Sequence, residues 1–181
     1  MSRCVALFRG INVGKAKRIA MADLRALLGK LGYTDVATLL NSGNAVFTAK
    51  SGTNAQHAGR IREAVAKKLG VDAHVIVKSS KELSAIFAGN PFAGIATDPS
   101  RFLVAFVQDD AALAAVKTLM AQDWGSERLH VGKHAAYLWC ANGILESRAL
   151  GKLLSGLENL GTTRNWSTLG KIHTLMMKAG K

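Results

Sequence analysis

The chain of 181 residues carries 24 Lys and Arg against 12 Asp and Glu, a formal net charge of +12 that favours anionic partners such as nucleic acid, nucleotides or phosphorylated metabolites. Its hydrophobic fraction of 49% excludes an intrinsically disordered chain, and no apolar stretch approaches the roughly 20 residues that a membrane-spanning helix needs. The two cysteines, Cys4 and Cys140, both lie in apolar segments, which excludes a disulfide framework and predicts a soluble, cytoplasmic protein.

The first half of the chain predicts the element order βαββαβ. Residues 4–8 form an apolar run typical of a central strand, and residues 74–78 form a similar run at the end of this half. Between them, the sequence NSGN at 41–44 separates two apolar runs and predicts a β-hairpin. Apolar residues at helical spacing predict two helices. The first has the stripe Leu24, Leu27, Leu28 and Leu31; the second has the stripe Ala58, Ile61, Val65 and Leu69 and is predicted to be capped by Asn54.

The second half repeats this order after a segment, 88–100, that holds both prolines. We expect strands at 102–107, 128–131, 135–140 and 162–164, a helix capped by Asp109 or Asp110, a helix over residues 150–157 and a last helix. The predicted fold class is therefore α+β, with two ferredoxin-like (βαββαβ, α/β plait) units that have antiparallel sheets. The predicted domains are 1–88 and 89–181, the second with an extra terminal helix; a single domain with one mixed sheet is the alternative.

The loop after the first strand is the strongest candidate site. It gathers Arg9, Lys15, Lys17 and Arg18 without an acid, and it ends near a predicted helix N-terminus, where backbone N–H groups favour anions. Three residues rather than four separate Gly10 from the Gly-Lys pair, and Ala16 follows, so the loop is not a Walker A phosphate-binding motif. The ligand-binding residues predicted here are Arg9, Gly10, Asn12, Gly14, Lys15, Lys17 and Arg18. A solvated basic loop is the alternative.

Two further segments are candidates for ligand binding. Ser42 and Asn44 in the hairpin could line a site, although Asn, Ser and Gly are also what a tight turn requires. Arg164, Asn165 and Trp166 precede the last helix, and an arginine beside an aromatic ring can stack on a base or hold a phosphate. Trp166 could equally belong to the core, and Ser167 or Thr168 could simply cap the helix.

The sequence identifies no catalytic residue, no metal site and no cofactor. His130 and His134 are separated by a Gly-Lys turn and lack further ligands, and His57 and His173 are expected on helix surfaces. No G-x-S-x-G or H-E-x-x-H motif is present. Whether the protein is an enzyme, and its oligomeric state, therefore stay open at this point.

Five short motifs resemble those of one family. ALFRGINVG, LLNSGNAVF, NPF, NGI and TTRNW occur in this order, and together they resemble an uncharacterised bacterial family described as a domain of unknown function. The resemblance covers nearly the whole chain and implies a two-part α+β protein built from ferredoxin-like units, with no established activity. The family's loop usually continues with a second glycine and a lysine; here Lys15 and Ala16 stand at those positions.

Three functional hypotheses follow. The first is a small basic cytosolic binding protein for a phosphate-bearing ligand, with nucleic acid as the leading candidate and a phosphorylated small molecule as the other. The second is a small-molecule enzyme or ligand sensor, with a pocket between the two halves formed by the glycine loop, residues 42–44 and residues 164–166. A basic scaffold that pairs with a partner protein through a sheet edge is a third possibility.

Overall fold

A computed structural model describes residues 1–158 and 160–178. The chain divides into two compact units, which we call unit 1 (Met1–Leu83 and residues 171–178) and unit 2 (Ser84–Gly170). In chain order the first elements are β1 (Ser2–Phe8), α1 (Met21–Lys30), β2 (Thr34–Leu39), β3 (Asn44–Ala49), α2 (Asn54–Leu69), β4 (Val75–Ser79) and α3 (Ser80–Ala88). No helix in the described ranges is both long and apolar enough to span a bilayer.

The later elements repeat this order with one helix replaced by a 3₁₀ helix. They are β5 (Phe102–Val107), the 3₁₀ helix (Asp110–Ala121), β6 (Arg128–Val131), β7 (Ala136–Trp139), α4 (Arg148–Gly156), β8 (Gly161–Asn165) and α5 (Trp166–Met177). The strand orders of the two antiparallel sheets are β2-β3-β1-β4 and β6-β7-β5-β8. The predicted α+β class with two ferredoxin-like units is confirmed.

The core of unit 1 lies between one face of its sheet and the helices α1 and α2. Alternate residues of β1 contribute Cys4, Ala6 and Phe8, because successive side chains of a strand point to opposite faces. The predicted helical stripes supply the other side of this core, with the fully buried members Leu24, Leu28, Ile61 and Val65. Helix α2 begins with a capping box between Thr53 and Gln56, so Thr53 rather than the predicted Asn54 is the N-cap.

The sheet of unit 2 has a different packing on each face. One face carries Leu103, Ala105 and Val107 and packs with apolar residues of the 3₁₀ helix and α4. The other face carries an aromatic cluster that includes Phe92, Phe102, Tyr137 and Trp166. The aromatic residues of this half are therefore used mainly for packing.

His57, which was expected on a helix surface, is buried instead, with 5% of its surface exposed. Its Nδ1 atom lies 2.9 Å from the Tyr33 hydroxyl, while Nε2 is buried without a hydrogen-bond partner of good geometry among the described residues. Burial, and secondarily the nearby charge of Arg60, lowers the pKa of His57, and the Gly52 backbone opposes this shift. The imidazole is thus held neutral beside Tyr33 and Phe47.

We expect this histidine to make the protein less stable in weak acid. With a lowered pKa in the folded state, the unfolded chain binds the proton first, so stability declines as pH falls from about 6.5 until folded His57 is itself protonated. Urea unfolding at several pH values should show a flatter profile between about pH 7 and 5 for His57→Gln. The exposed His130→Gln is the control, and an unchanged profile in His57→Gln would contradict the assignment.

Candidate functional site

The loop that follows β1 is fixed at both of its ends to neighbouring backbone. The N–H of Phe8 donates to the Gly43 carbonyl at 2.9 Å, and the N–H of Arg9 donates to the His74 carbonyl at the same distance. The first bond joins the loop to the β2–β3 hairpin and the second joins it to the segment before β4. The basic loop therefore starts from a rigid position in unit 1.

Asn12 holds the rest of this loop closed. Its backbone is left-handed, with φ of 57°, and its N–H donates to the Lys17 carbonyl at 3.0 Å. The side-chain amide donates to the Ile19 and Asn41 carbonyls at 2.9 and 2.8 Å, while Oδ1 accepts from the Ile19 N–H at 2.8 Å. Both polar ends of this side chain are engaged with the backbone, so Asn12 ties the basic loop to the hairpin.

Gly43 is the closest point between the hairpin and the loop. Its φ is +84°, and a Cβ atom added there would lie 2.6 Å from Ile11 Cδ1 and 2.7 Å from Phe8 Cβ. Ile11 and Phe8 are fully buried, so neither can easily move away. The absence of a side chain at Gly43 is what allows the two segments to meet.

The N-terminus of α1 opens beside this loop. Its N-cap is Ala20, which offers no side-chain acceptor, so the first-turn N–H groups have neither an intrahelical acceptor nor a capping side chain. A shallow hollow of about 240 Å³ lies there, lined by Asn12, Arg18, Ile19, Ala20, Met21 and Asn41. An anion in the hollow would meet the positive end of the helix dipole and the Arg18 side chain.

The cations of the loop differ in exposure. Lys15, Lys17 and Arg18 are exposed, whereas Arg9 at the base of the loop is half-buried. Gly10 and Gly14, like Lys17, have left-handed backbones, and the side chain of Val13 at the tip is 72% exposed. The loop thus presents its three outer cations to solvent around a curved backbone.

Carboxylates also lie near this loop: Asp72, which interacts with Lys17, and Asp23 in the first turn of α1. A hydrogen bond from Arg62 lowers the pKa of Asp72, and the charge of Lys17 adds a smaller effect in the same direction. Asp72 pairs with Arg62 at 2.8 Å, so most of its charge is already balanced by a residue outside the loop. The loop cations Arg9, Lys15, Lys17 and Arg18 therefore still outnumber these two acids.

The predicted hairpin residues have different environments. Ser42 is exposed, whereas Asn44 is fully buried and its amide donates to the Leu39 carbonyl at 2.8 Å and to Ser42 Oγ at 3.2 Å. These two hydrogen bonds lie inside the turn and stabilise its shape. The hairpin and the basic loop, predicted separately, lie together in unit 1.

The three predicted residues at 164–166 belong to unit 2, where Arg164 is buried and Asn165 and Trp166 are half-buried. Arg164 is 9% exposed, donates to Thr162 Oγ1 and the Thr163 carbonyl, and has its pKa lowered to about 10 by burial. Asn165, rather than Ser167 or Thr168, caps α5, because its Oδ1 accepts from the Thr168 N–H. The ring of Trp166 stacks between Phe87 and Phe102, with centroids 4.7 and 4.8 Å away.

The remaining titratable groups give no indication of nucleophilic or metal chemistry. Burial raises the pKa of Cys4 to about 11 and also raises the pKa of Cys140, so neither thiol is activated. His134 pairs with Asp110 through Nδ1 at 2.5 Å, a contact that the sequence did not suggest. Within the described ranges, no group of three or more His, Cys, Asp or Glu could hold a metal ion.

Comparison with known proteins identifies the family. A family described as "Protein of unknown function (DUF1697)" matches residues 1–137 of the 181-residue chain. The chain belongs to DUF1697. This DUF1697 chain is similar to a solved structure described as that of conserved bacterial protein SP0830 from Streptococcus pneumoniae, with 25% identity and a TM-score of 0.78. The likeness covers 97% of this chain and 98% of that one, and no curated protein matches.

The DUF1697 match contains the basic loop and the hairpin but ends before residues 164–166. It brings no activity and no ligand, so a functional assignment for this chain has to come from the local chemistry of its own side chains. The features that sequence analysis missed are the uncapped α1 N-terminus and the amide bonds of Asn12. The alanine at position 20, just before the helical stripe, was the one available signal for the first of them.

Proposed function

We propose that this protein binds a phosphate-bearing ligand, with nucleic acid as the leading candidate, through the basic loop of unit 1. The observation that carries the proposal is the uncapped N-terminus of α1, which opens on a hollow also lined by Arg18. Backbone N–H groups at a helix N-terminus bind phosphate oxygens well because they are unpaired and lie at the positive end of the dipole. Lys15 and Lys17 add exposed positive charge around it.

The predicted loop residues divide between contact and positioning in this proposal. Lys15, Lys17 and Arg18 neutralise phosphates, and Gly10 and Gly14 allow the backbone to curve around them. Asn12 and Asn44 hold the loop and the hairpin in place through their backbone hydrogen bonds. Mutation of a positioning residue should therefore alter loop shape, whereas mutation of a contact residue should alter only charge.

The size of the hollow favours nucleic acid over a compact metabolite. At about 240 Å³ it lies below the roughly 300–1,000 Å³ of typical small-molecule pockets, but it can accommodate a single phosphate group. The rest of the ligand must then lie outside, across the exposed cations. A phosphodiester backbone provides a further phosphate for each of these cations, which a monophosphorylated metabolite cannot do.

The test is fluorescence anisotropy of a labelled single-stranded oligonucleotide over a salt series. We expect measurable binding at low salt and a log–log salt slope that becomes shallower by about two units when Lys15, Lys17 and Arg18 are all changed to Ala, because each lost phosphate contact contributes about 0.7. The control is the triple change of Lys30, Lys50 and Lys81 to Ala, three exposed cations of unit 1 outside the loop. Its effect on the slope should be smaller.

Two outcomes would contradict this proposal. Absence of binding by the wild type at low salt would eliminate nucleic acid as the ligand, and equal slopes for the two triple variants would show that only overall charge matters. The alternative of an enzyme or ligand sensor with a pocket between the halves stays a prediction. It predicts thermal stabilisation by a compact metabolite with little salt dependence.

A further inference from the structure

A second hollow lies within unit 2, away from all the residues that sequence analysis selected. Its volume is about 450 Å³, and it lies where the end of the 3₁₀ helix faces α4. Its lining consists of one aromatic ring, two cations, one amide and two small residues: Trp124, Arg148, Lys152, Gln122, Gly151 and Ser155. No carboxylate is among these lining residues.

The ring of Trp124 is held in a fixed orientation. Its Nε1–H donates to the Leu119 carbonyl at 2.8 Å, and the half-buried ring packs against the apolar cluster that contains Leu103, Leu138 and Cys140. The same residue also lines the hollow. A fixed, partly exposed aromatic surface suits stacking because little side-chain entropy is lost when a ligand covers it.

Helix α4 contributes two residue pairs spaced by one turn. Arg148 and Lys152 are exposed and lie on one face, as i and i+4 residues do, while Gly151 and Ser155 give the hollow its depth. The buried Glu127 does not line the hollow. Its carboxylate instead accepts hydrogen bonds from Ser147 Oγ and from the backbone N–H groups at the start of α4. The charge that faces the hollow is therefore positive.

We propose that this hollow binds a mononucleotide-like ligand, that is, a flat aromatic base that carries a phosphate. The base stacks on Trp124, the phosphate pairs with Arg148 and Lys152, and the Gln122 amide lies within the same lining to hydrogen-bond with polar ring atoms. Stacking and charge both have to be satisfied, which selects an aromatic anion over a neutral base or a free phosphate. The proposal is independent of the basic loop, because the two hollows share no residue.

Tryptophan fluorescence of the full chain gives a direct test with AMP as the probe. Trp139 is 9% exposed and Trp166 stacks between Phe87 and Phe102, so a ligand should quench mainly Trp124. Excitation at the red edge of the indole band avoids absorption by adenine. We expect saturable quenching by AMP, and binding of adenosine and of ribose 5-phosphate that is weaker by about tenfold or more, since each lacks one of the two interactions.

Two variants that we expect to keep the fold test the site: one adds a side chain to the hollow, and the other removes its positive charges. Gly151→Leu places an apolar side chain in the hollow, and a Cβ at this helical position meets no atom within 4 Å. We expect this variant to lose quenching by AMP, whereas Gly59→Leu, at an equally open helical glycine of unit 1, should keep it.

The double variant Arg148→Gln with Lys152→Gln should weaken AMP binding at least about tenfold without affecting adenosine binding. The matched control is Lys117→Gln with Lys133→Gln, which removes two exposed cations of unit 2.

Four results would overturn the assignment, and three of them come from the measurements above. These three are no saturable quenching of the wild type, unchanged AMP binding in Gly151→Leu, and equal weakening by the two double variants. Calorimetry with Trp124→Phe separates loss of the fluorophore from loss of the site: retained AMP binding without quenching supports stacking at position 124. Retained quenching in that variant would place the ligand elsewhere and contradict the proposal.

Discussion

Gly43→Ala is expected to lower the free energy of unfolding by about 3 kcal/mol or more. Two costs add at this position. A residue with a Cβ at φ of +84° is strained by about 1–2 kcal/mol, and the added carbon would lie 2.6–2.7 Å from buried atoms of Ile11 and Phe8. Because the Phe8 N–H bonds to the Gly43 carbonyl, the backbone cannot shift away without losing that bond.

Gly32→Ala is the matched control for this substitution. Gly32 has φ of +83°, almost the same value, but a Cβ there would meet no atom within 4 Å. We expect it to cost only about 1–2 kcal/mol from backbone strain. Urea unfolding of the two variants therefore isolates the steric contribution. Equal losses in both would show that the hairpin and the loop are less tightly packed than described.

Glu82→Gln is the second substitution with a large expected effect, a loss of about 2–4 kcal/mol. Lys78 is 1% exposed, and its Nζ lies 3.6 Å from Glu82 Oε1. The other oxygen, Oε2, accepts hydrogen bonds from Asn54 Nδ2 and from both the N–H and the hydroxyl of Ser79. A glutamine cannot carry the charge that balances a buried lysine, and its NH₂ group cannot accept bonds.

The pH dependence of stability provides an independent measurement of this cluster. Burial acts to raise the pKa of Glu82, but the bonds from Ser79 and Asn54 and the charge of Lys78 outweigh it, so the pKa is lowered overall. A carboxylate with a lowered folded pKa stabilises the protein above about pH 4.5, and this contribution disappears as pH falls through the folded value. Urea midpoints between pH 7 and 3 should therefore show a smaller acid loss in Glu82→Gln than in the wild type.

Glu63→Gln is the control for the acid measurements. Glu63 pairs with Lys67 at 2.6 Å, but both side chains are largely exposed, and ion pairs of this kind contribute little to stability. We expect almost no change at pH 7 and an unaltered acid profile. If Glu82→Gln behaves like Glu63→Gln, then Lys78 is stabilised by groups other than this carboxylate.

The element order could be predicted because apolar spacing reflects which face of each helix and strand is buried. Leu24, Leu28, Ile61 and Val65 followed the 3.6-residue period and are all in the core. Helix ends were harder to predict, since several neighbouring side chains can accept the same N–H bond. Thr53 rather than Asn54 caps α2, and Asn165 rather than Ser167 or Thr168 caps α5.

For the candidate sites, the sequence predicted burial or exposure correctly only where the residue type itself determines it. Lys15, Lys17 and Arg18 are exposed, as charged loop residues generally are. Arg164 is buried, and Trp166 is packed between two rings, which agrees with the core alternative for this residue. TTRNW alone could not decide between core and ligand binding, because the packing of Trp166 depends on Phe87 and Phe102, far away in sequence. The hollow at Trp124 was missed for the same reason: its lining comes from two segments more than twenty residues apart.

The two buried thiols provide one natural reporter for each unit. Cys4 lies in β1 of unit 1 and Cys140 follows β7 of unit 2, and both are inaccessible with raised pKa values. An alkylating reagent can react with either only after the surrounding sheet opens, so its rate measures local opening. Peptide mapping after timed alkylation in mild denaturant would give two separate protection factors. Unequal protection factors would mean that unit 1 and unit 2 open as independent cooperative units, and equal protection factors would mean that they unfold together.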